Sequence, residues 1–290
     1  LVPGVEHGIM QPHPRCNIQL RYRTSYLCKW RKKAIFRLCA AGIKLLSDHI
    51  KPGQKITALS TLATATDEPD WGFDMLLWED SPSSWGKTYG FGTQPFSSVS
   101  GPLASQSPFH SGFYFEQRLV NVANPRLSEN YPLMRIHQFS TLAELAFTTG
   151  HDYWGWRFLG NGLHYLQDLT QPYHASVTPG ETAAYLAGLH LLDSLGMSQR
   201  KNELFLKNSN RNLMLDRYQT QMLQKQSNKR YDSIAEVALK NTMLEDRLPK
   251  WNYQYPKNVV AKEAFLFSEK LAETLSQTLP EKLLNDPYFD

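Results

Sequence analysis

Along much of the chain, apolar residues recur at threes and fours with polar residues between them, the period of a helix with one buried face. Over residues 29–49 the stripe is Ile35, Leu38, Cys39, Ile43, Leu45 and Leu46, with basic residues between, and Lys51-Pro52-Gly53 breaks it. A short helix is expected over 55–65. From Pro132, the positions Leu133, Ile136, Phe139, Leu142, Leu145 and Ala146 predict a helix that Thr148-Thr149-Gly150 stops. Trp154, Phe158, Leu159, Leu163 and Leu166 predict the next, over 153–168, with His151 or Asp152 as its cap. Two helices joined by so short a turn are natural antiparallel neighbours. Further helices are expected over 181–195, 203–226, 231–246 and 257–284, the last interrupted near Pro280 and preceded by a loop over 249–256.

Residues 66–112 depart from this pattern. They are dense in Gly, Ser, Pro and aromatics, among them Trp71, Trp78, Trp85, Tyr89, Phe91 and Phe96, and hold neither the helical nor the strand period. A long irregular segment inside a folded chain often carries function. Its aromatics are either core plugs or an apolar surface that meets a lipid or a base. The pattern as a whole predicts an all-α fold, a single domain over 1–290 with a long irregular insertion.

Composition adds few restrictions. Of 290 residues, 41% are hydrophobic and 20% charged, which is a globular balance. A net charge of +4 favours an anionic surface without demanding a nucleic acid. The three cysteines, Cys16, Cys28 and Cys39, are odd in number and form no CxxC, so they do not read as a structural zinc site. The longest apolar run, from Ala34 to Leu46, is broken by Arg37 and Lys44, so no transmembrane helix is expected. A start at Leu1 fits a processed chain or a fragment. No G-x-S-x-G, P-loop or H-E-x-x-H motif occurs.

Candidate chemistry gathers in Leu163-His164-Tyr165-Leu166-Gln167-Asp168-Leu169-Thr170-Gln171-Pro172-Tyr173-His174-Ala175. His164 and Asp168 stand at i and i+4 and share one helix face. His174 follows a Gln-Pro step that ends or bends the helix. Two imidazoles and a carboxylate so placed can reach one zinc ion or two adjacent ones. Taken singly, a His on an apolar helix is usually a satisfied core residue, and an Asp near a helix end a cap; the combination points to metal. Asp67, Asp70 and His110 lie at the edges of the irregular segment, where backbone can turn toward a cleft. His49 reads as a helix C-terminal cation, His137 as a partly buried packing residue and His151 as a helix-start residue.

The pattern His164-Tyr165-Leu166-x-Asp168-x-x-Gln171-Pro172-x-His174, preceded by an aromatic helix, resembles the zinc-dependent bacterial phospholipase C family, which shares its fold with single-strand-specific zinc nucleases. Upstream, Asp70 in its Pro-Asp turn and His110-Ser111-Gly112-Phe113-Tyr114 match as well, and the likeness covers about 55–180. The resemblance implies two to three zinc ions. Asp70, His110, His164 and Asp168 would form one site, with Asp70 also placed to orient or deprotonate the attacking water. Asp168 would bridge to a second ion completed by the backbone of Leu1 and by His7. His174 would begin a third, completed by His190 or by the Asn212-x3-Asp216 pair. Two departures stand out: Leu1 occupies the place of a Trp, and Asn212 that of a His, so one ion is expected to be weakly held or absent. The implied activity is phospholipase C cleavage of glycerophospholipid at a membrane surface, in a secreted or periplasmic setting. Trp71, Tyr114 and Tyr173 are the candidate substrate contacts, and Trp71, Trp78 and Trp85 are candidates to enter the interface or cradle a cationic headgroup. The alternatives are a single-strand nuclease or nucleotidase on the same site, against which the continuation Ser176-Val177-Thr178-Pro179-Gly180 weighs, and a degenerate member that binds membrane or metal without turnover.

Overall fold

The computed structural model describes residues 54–93, 102–226 and 247–286, with positions 237, 241 and 243 between the last two. The helix expected over 29–49, most of that over 231–246, the three cysteines and His49 lie outside the described residues. What is described is all-α, with no strand among those residues. The helices are α1 (Ala58–Asp67), α2 (Ser84–Tyr89), α3 (Pro102–His110), α4 (Arg118–Ala123), α5 (Pro132–Thr148), α6 (Asp152–Asp168), α7 (Pro172–Ala175), α8 (Ala183–Ser194), α9 (Gln199–Gln226), α10 (Lys262–Thr278) and α11 (Glu281–Leu284). The described residues divide into two compact units, one of 54–75 with 138–164, the other of 76–137 with 165–286.

In the first unit, α1 begins at Thr57, whose side chain accepts from the Ser60 amide at 3.1 Å. It ends in a 3-10 turn, Pro69–Trp71, closed by Gly72 at φ +101°. Helix α5 stops where the pattern predicts, in a Schellman cap: Gly150 sits at φ +74°, its amide bonds Phe147 O, and the His151 amide bonds Ala146 O. Aromatics of α6 pack on more than one of its sides. Phe158 stacks on Trp154 and on Phe139, with centroids 5.5 and 6.5 Å apart, and Trp156 meets Phe147 edge-on at 5.1 Å. Backbones approach most closely at Gly160, where a Cβ would lie 2.6 Å from Leu62 O and 2.7 Å from Ala65 Cβ. Only glycine lets α1 sit this near α6.

In the second unit the irregular segment is anchored by Trp78, which is fully buried. Its ring packs against Phe91, Phe109 and Tyr131 at centroid distances of 5.3 to 6.0 Å, and its Nε1 donates to Ser105 O at 2.8 Å. Of the two alternatives for these aromatics, Trp78 is a core plug and does not meet a lipid: three neighbouring rings pack against it and a carbonyl takes its indole N–H. Trp85 does lie on the surface, 69% exposed and stacked on Tyr89 at 5.6 Å. The stretch 66–112 also carries more helix than its pattern predicts, in pieces too short to show a period. One of them, α2, is held by its Ser83 cap on the Gly86 amide. His137, expected to be partly buried, is exposed with its ring edge-on to Tyr253 at 5.4 Å. A second apolar cluster, Phe113, Val120, Leu127 and Ala183, joins α4 to α8, while α10 packs on α7 and α11 on α9. Helix α10 is entered through a π-helical stretch, Pro256–Ala261, and the helical run breaks before Pro280 as expected.

Trp78→Ala is expected to cost about 3–5 kcal/mol, the range for deleting a large buried aromatic. The measurement is a urea midpoint at unchanged slope. A midpoint equal to wild type would show that this ring does not hold the segment together.

Candidate metal centre

Helix α6 carries His164 and Asp168 one turn apart, as their spacing predicts. The surroundings of each are set by the unit to which it belongs.

In the first unit, His164 is buried and its Nδ1 lies 2.8 Å from Thr66 O, at the end of α1. A carbonyl only accepts, so Nδ1 carries the proton and Nε2 carries the lone pair in the neutral ring. That Nε2 lies 3.6 Å from Asp70 Oδ1, on the 3-10 turn that follows α1. The separation is too long for a hydrogen bond. It is close to the ~3.4 Å that separates nitrogen and oxygen ligands on a tetrahedral zinc, given Zn–N and Zn–O bonds of ~2.0–2.2 Å. A metal-binding histidine ordinarily donates its other ring nitrogen to a carbonyl or carboxylate in this way. The donor set and its tautomer therefore fit a zinc-like cation.

In the second unit, His110 ends α3 and is buried, with Nδ1 2.8 Å from Asp168 Oδ2. The Tyr165 ring, also buried, lies 5.1 Å from the imidazole. On α7, His174 donates Nδ1–H to His110 O at 2.7 Å, and the same nitrogen is 3.8 Å from Asp168 Oδ1. The Gly112 amide returns a bond to His174 O at 2.7 Å, so the segments bearing the two histidines are tied through their backbones.

In the first unit, Asp70 is exposed and His164 buried, and each offers an atom that a metal ion could take; in the second, His110 is buried and offers another. Among the described residues Asp168, His174, His190 and Asp216 belong to no group of three such donors. His190 is half-buried on α8, and Asp216 is exposed on α9 next to the half-buried Asn212 one turn before it. Leu1 and His7 lie outside the described residues. Of the candidate substrate contacts, Trp71 follows Asp70 directly and points Nε1 toward Asp67 Oδ2 at 3.3 Å. Tyr114 is half-buried, with Lys257 Nζ 5.3 Å from its ring centroid, and burial raises its hydroxyl pKa. Tyr173 is buried, and burial pushes its hydroxyl up to about 12 against the opposing pull of Arg211.

Sequence reading missed two features. One is the Thr66 carbonyl, a backbone group that no side-chain motif marks. The other is the pair Glu68–Arg157, 2.9 Å between Oε2 and Nε, whose residues stand 89 apart in the chain. Burial raises the Glu68 carboxyl pKa, and Arg157 counters part of that rise.

Neither a protein-family model, nor a curated protein, nor a solved structure matches the chain.

Proposed function

We propose that the chain is a zinc-dependent phosphodiester hydrolase of the phospholipase C type, cleaving glycerophospholipid to diacylglycerol and a phosphorylated headgroup. The observation that carries this reading is His164: Nδ1 is spent on Thr66 O, and Nε2 stands at ligand-to-ligand distance from Asp70 Oδ1. The spacing from His164 to His174 and the resemblance built on it supply the reaction class. In this reading, as the resemblance implies, Asp70, His110 and His164 would hold one zinc ion. Bound there, zinc supplies Lewis-acid polarisation of a phosphoryl oxygen and lowers the pKa of water enough for attack near neutral pH. The chain's own residues do the rest. His164 and His110 present oriented nitrogens, and Asp168 fixes the His110 ring. Asp70, with a side chain 62% exposed, is the carboxylate that a substrate and its attacking water can reach. Trp71 beside it offers a ring to a cationic headgroup. The exposed Trp85–Tyr89 stack is the kind of amphipathic aromatic surface that sits at a lipid interface. No helix among the described residues is long and apolar enough to cross a membrane, so the proposed encounter is with a bilayer surface. A secreted or periplasmic setting belongs to the same reading.

The test assays one preparation on phosphatidylcholine vesicles and on single-stranded DNA, with and without a zinc chelator. Diacylglycerol release that the chelator abolishes is the expected result. Hydrolysis of DNA alone would move the reading to the nuclease branch. Turnover of neither substrate by protein that retains zinc would leave a non-catalytic metal binder.

A further inference from the structure

We propose that Arg157 and Glu68 are a positioning pair for the metal centre: their ion pair fixes the 3-10 turn that presents Asp70 to His164. The inference rests on the metal-binding reading above and concerns only residues of the first unit.

Asp70 stands on a single 3-10 turn, and its side chain is 62% exposed, so packing around the carboxylate does little to place it. Placement has to come from how the turn is docked. Three links attach α1 and this turn to α6, and they leave α6 at positions 157, 160 and 164. This spacing, i, i+3 and i+7, defines one stripe along a helix. At Gly160 the absent Cβ lets the α1 backbone approach. At His164 the ring nitrogen holds Thr66 O at 2.8 Å. At Arg157 the guanidinium Nε holds Glu68 Oε2 at 2.9 Å, with the two side chains only 30% and 23% exposed. The first two links hold α1 itself. The third reaches past its end, to the residue immediately before Pro69–Trp71.

Arg157 is itself held. Its guanidinium lies 5.3 Å from the ring centroid of Trp154, one turn earlier on α6. A planar guanidinium can bond Glu68 and lie over the indole together; a lysine ammonium has no such plane. Arg157 stands seven residues from His164, ~10 Å along the helix. It therefore acts through Asp70 and does not touch the reacting atoms.

The experiment measures zinc dissociation constants by chelator competition, with no turnover required. The variants are Arg157→Met, Glu68→Gln, the double variant and the exchange Glu68→Arg with Arg157→Glu. A urea midpoint is taken for each, because a purely structural role would lower the midpoint and leave the zinc affinity of folded protein unchanged. Each single variant is expected to weaken zinc binding ~10–100-fold, the range for removing a group that orients a ligand. The double variant should be no weaker than the worse single one, because the two residues act as one unit, and the exchange should recover part of the loss. With cobalt as probe, the visible spectrum of Arg157→Met should change as Asp70 leaves its place. Zinc affinity within twofold of wild type in Arg157→Met would overturn the proposal and leave the metal-centre reading intact. Wild-type protein that binds no zinc would overturn both. Wild type that binds zinc yet hydrolyses no diester would remove the enzymatic reading alone.

Discussion

His164→Ala is expected to lose its zinc and to lower phosphodiester hydrolysis at least ~10³-fold. A metal ion supplies several kcal/mol of charge stabilisation in such a reaction, and each ~1.4 kcal/mol is a factor of ten in rate. The effect should be large because no neighbour can replace this ring. His164 is buried, and its Nδ1–H is committed to Thr66 O, which fixes the orientation of Nε2 toward Asp70. Taking it away removes the proposed ligand and also the bond that fastens the end of α1 to α6. His164→Asn separates the two effects, since its amide nitrogen takes the place of Nδ1 and can still donate to Thr66 O but leaves no ligand at the Nε2 position. It should keep most of the stability and lose the metal. His151→Ala is the matched control: it removes an exposed histidine of the same unit whose ring bonds the neighbouring Thr149 hydroxyl. Elemental analysis and kcat/KM on folded protein give the answer. A His164→Ala variant with full zinc content and near wild-type activity would sink the assignment of this ring as a ligand.

The parts of this arrangement that a reader of the sequence could see are those that repeat locally. Helices α5 and α6 announce themselves through Leu133 to Ala146 and Trp154 to Leu166, and the stop between them through Gly150, which the cap holds at φ +74°. His164 and Asp168 share a helix face for the same reason. What does not repeat was hidden. Short α2 and α3 have no room for a period, and what steadies the segment is Trp78 meeting Phe109 and Tyr131 from up to 53 residues away. His110 and Asp168 are 58 residues apart, and no spacing rule joins them. Thr66 enters through its carbonyl, which any residue would have supplied. Glu68 and Arg157 look like ordinary surface charges until the fold brings them together. Local physics thus disclosed the helix that carries His164 and Asp168, while the groups that orient the candidate ligands are tertiary.

Asp168→Asn is the sharper test of how the centre is built, because the two roles open to Asp168 give different stoichiometries. A bridging ligand, as the phospholipase C resemblance implies, would take a zinc ion with it when its charge is removed. An orienting carboxylate would lower affinity and leave the ion count unchanged. The geometry favours the second. Asp168 Oδ2 lies 2.8 Å from His110 Nδ1, and Oδ1 lies 3.8 Å from His174 Nδ1, so the carboxylate faces two imidazoles. A carboxylate on one ring nitrogen fixes a histidine's tautomer and strengthens the other nitrogen as a ligand. Asparagine can still accept from Nδ1–H but contributes no charge. Asp168→Asn is therefore expected to weaken zinc binding ~10–100-fold with stoichiometry unchanged. Asp168→Ala should fall further, since it leaves a buried ring N–H without its acceptor, at a cost of ~1–3 kcal/mol. Zinc titration with elemental analysis distinguishes the two. If Asp168→Asn loses one equivalent of zinc and holds the remainder at wild-type affinity, Asp168 is a bridging ligand and the orienting role fails.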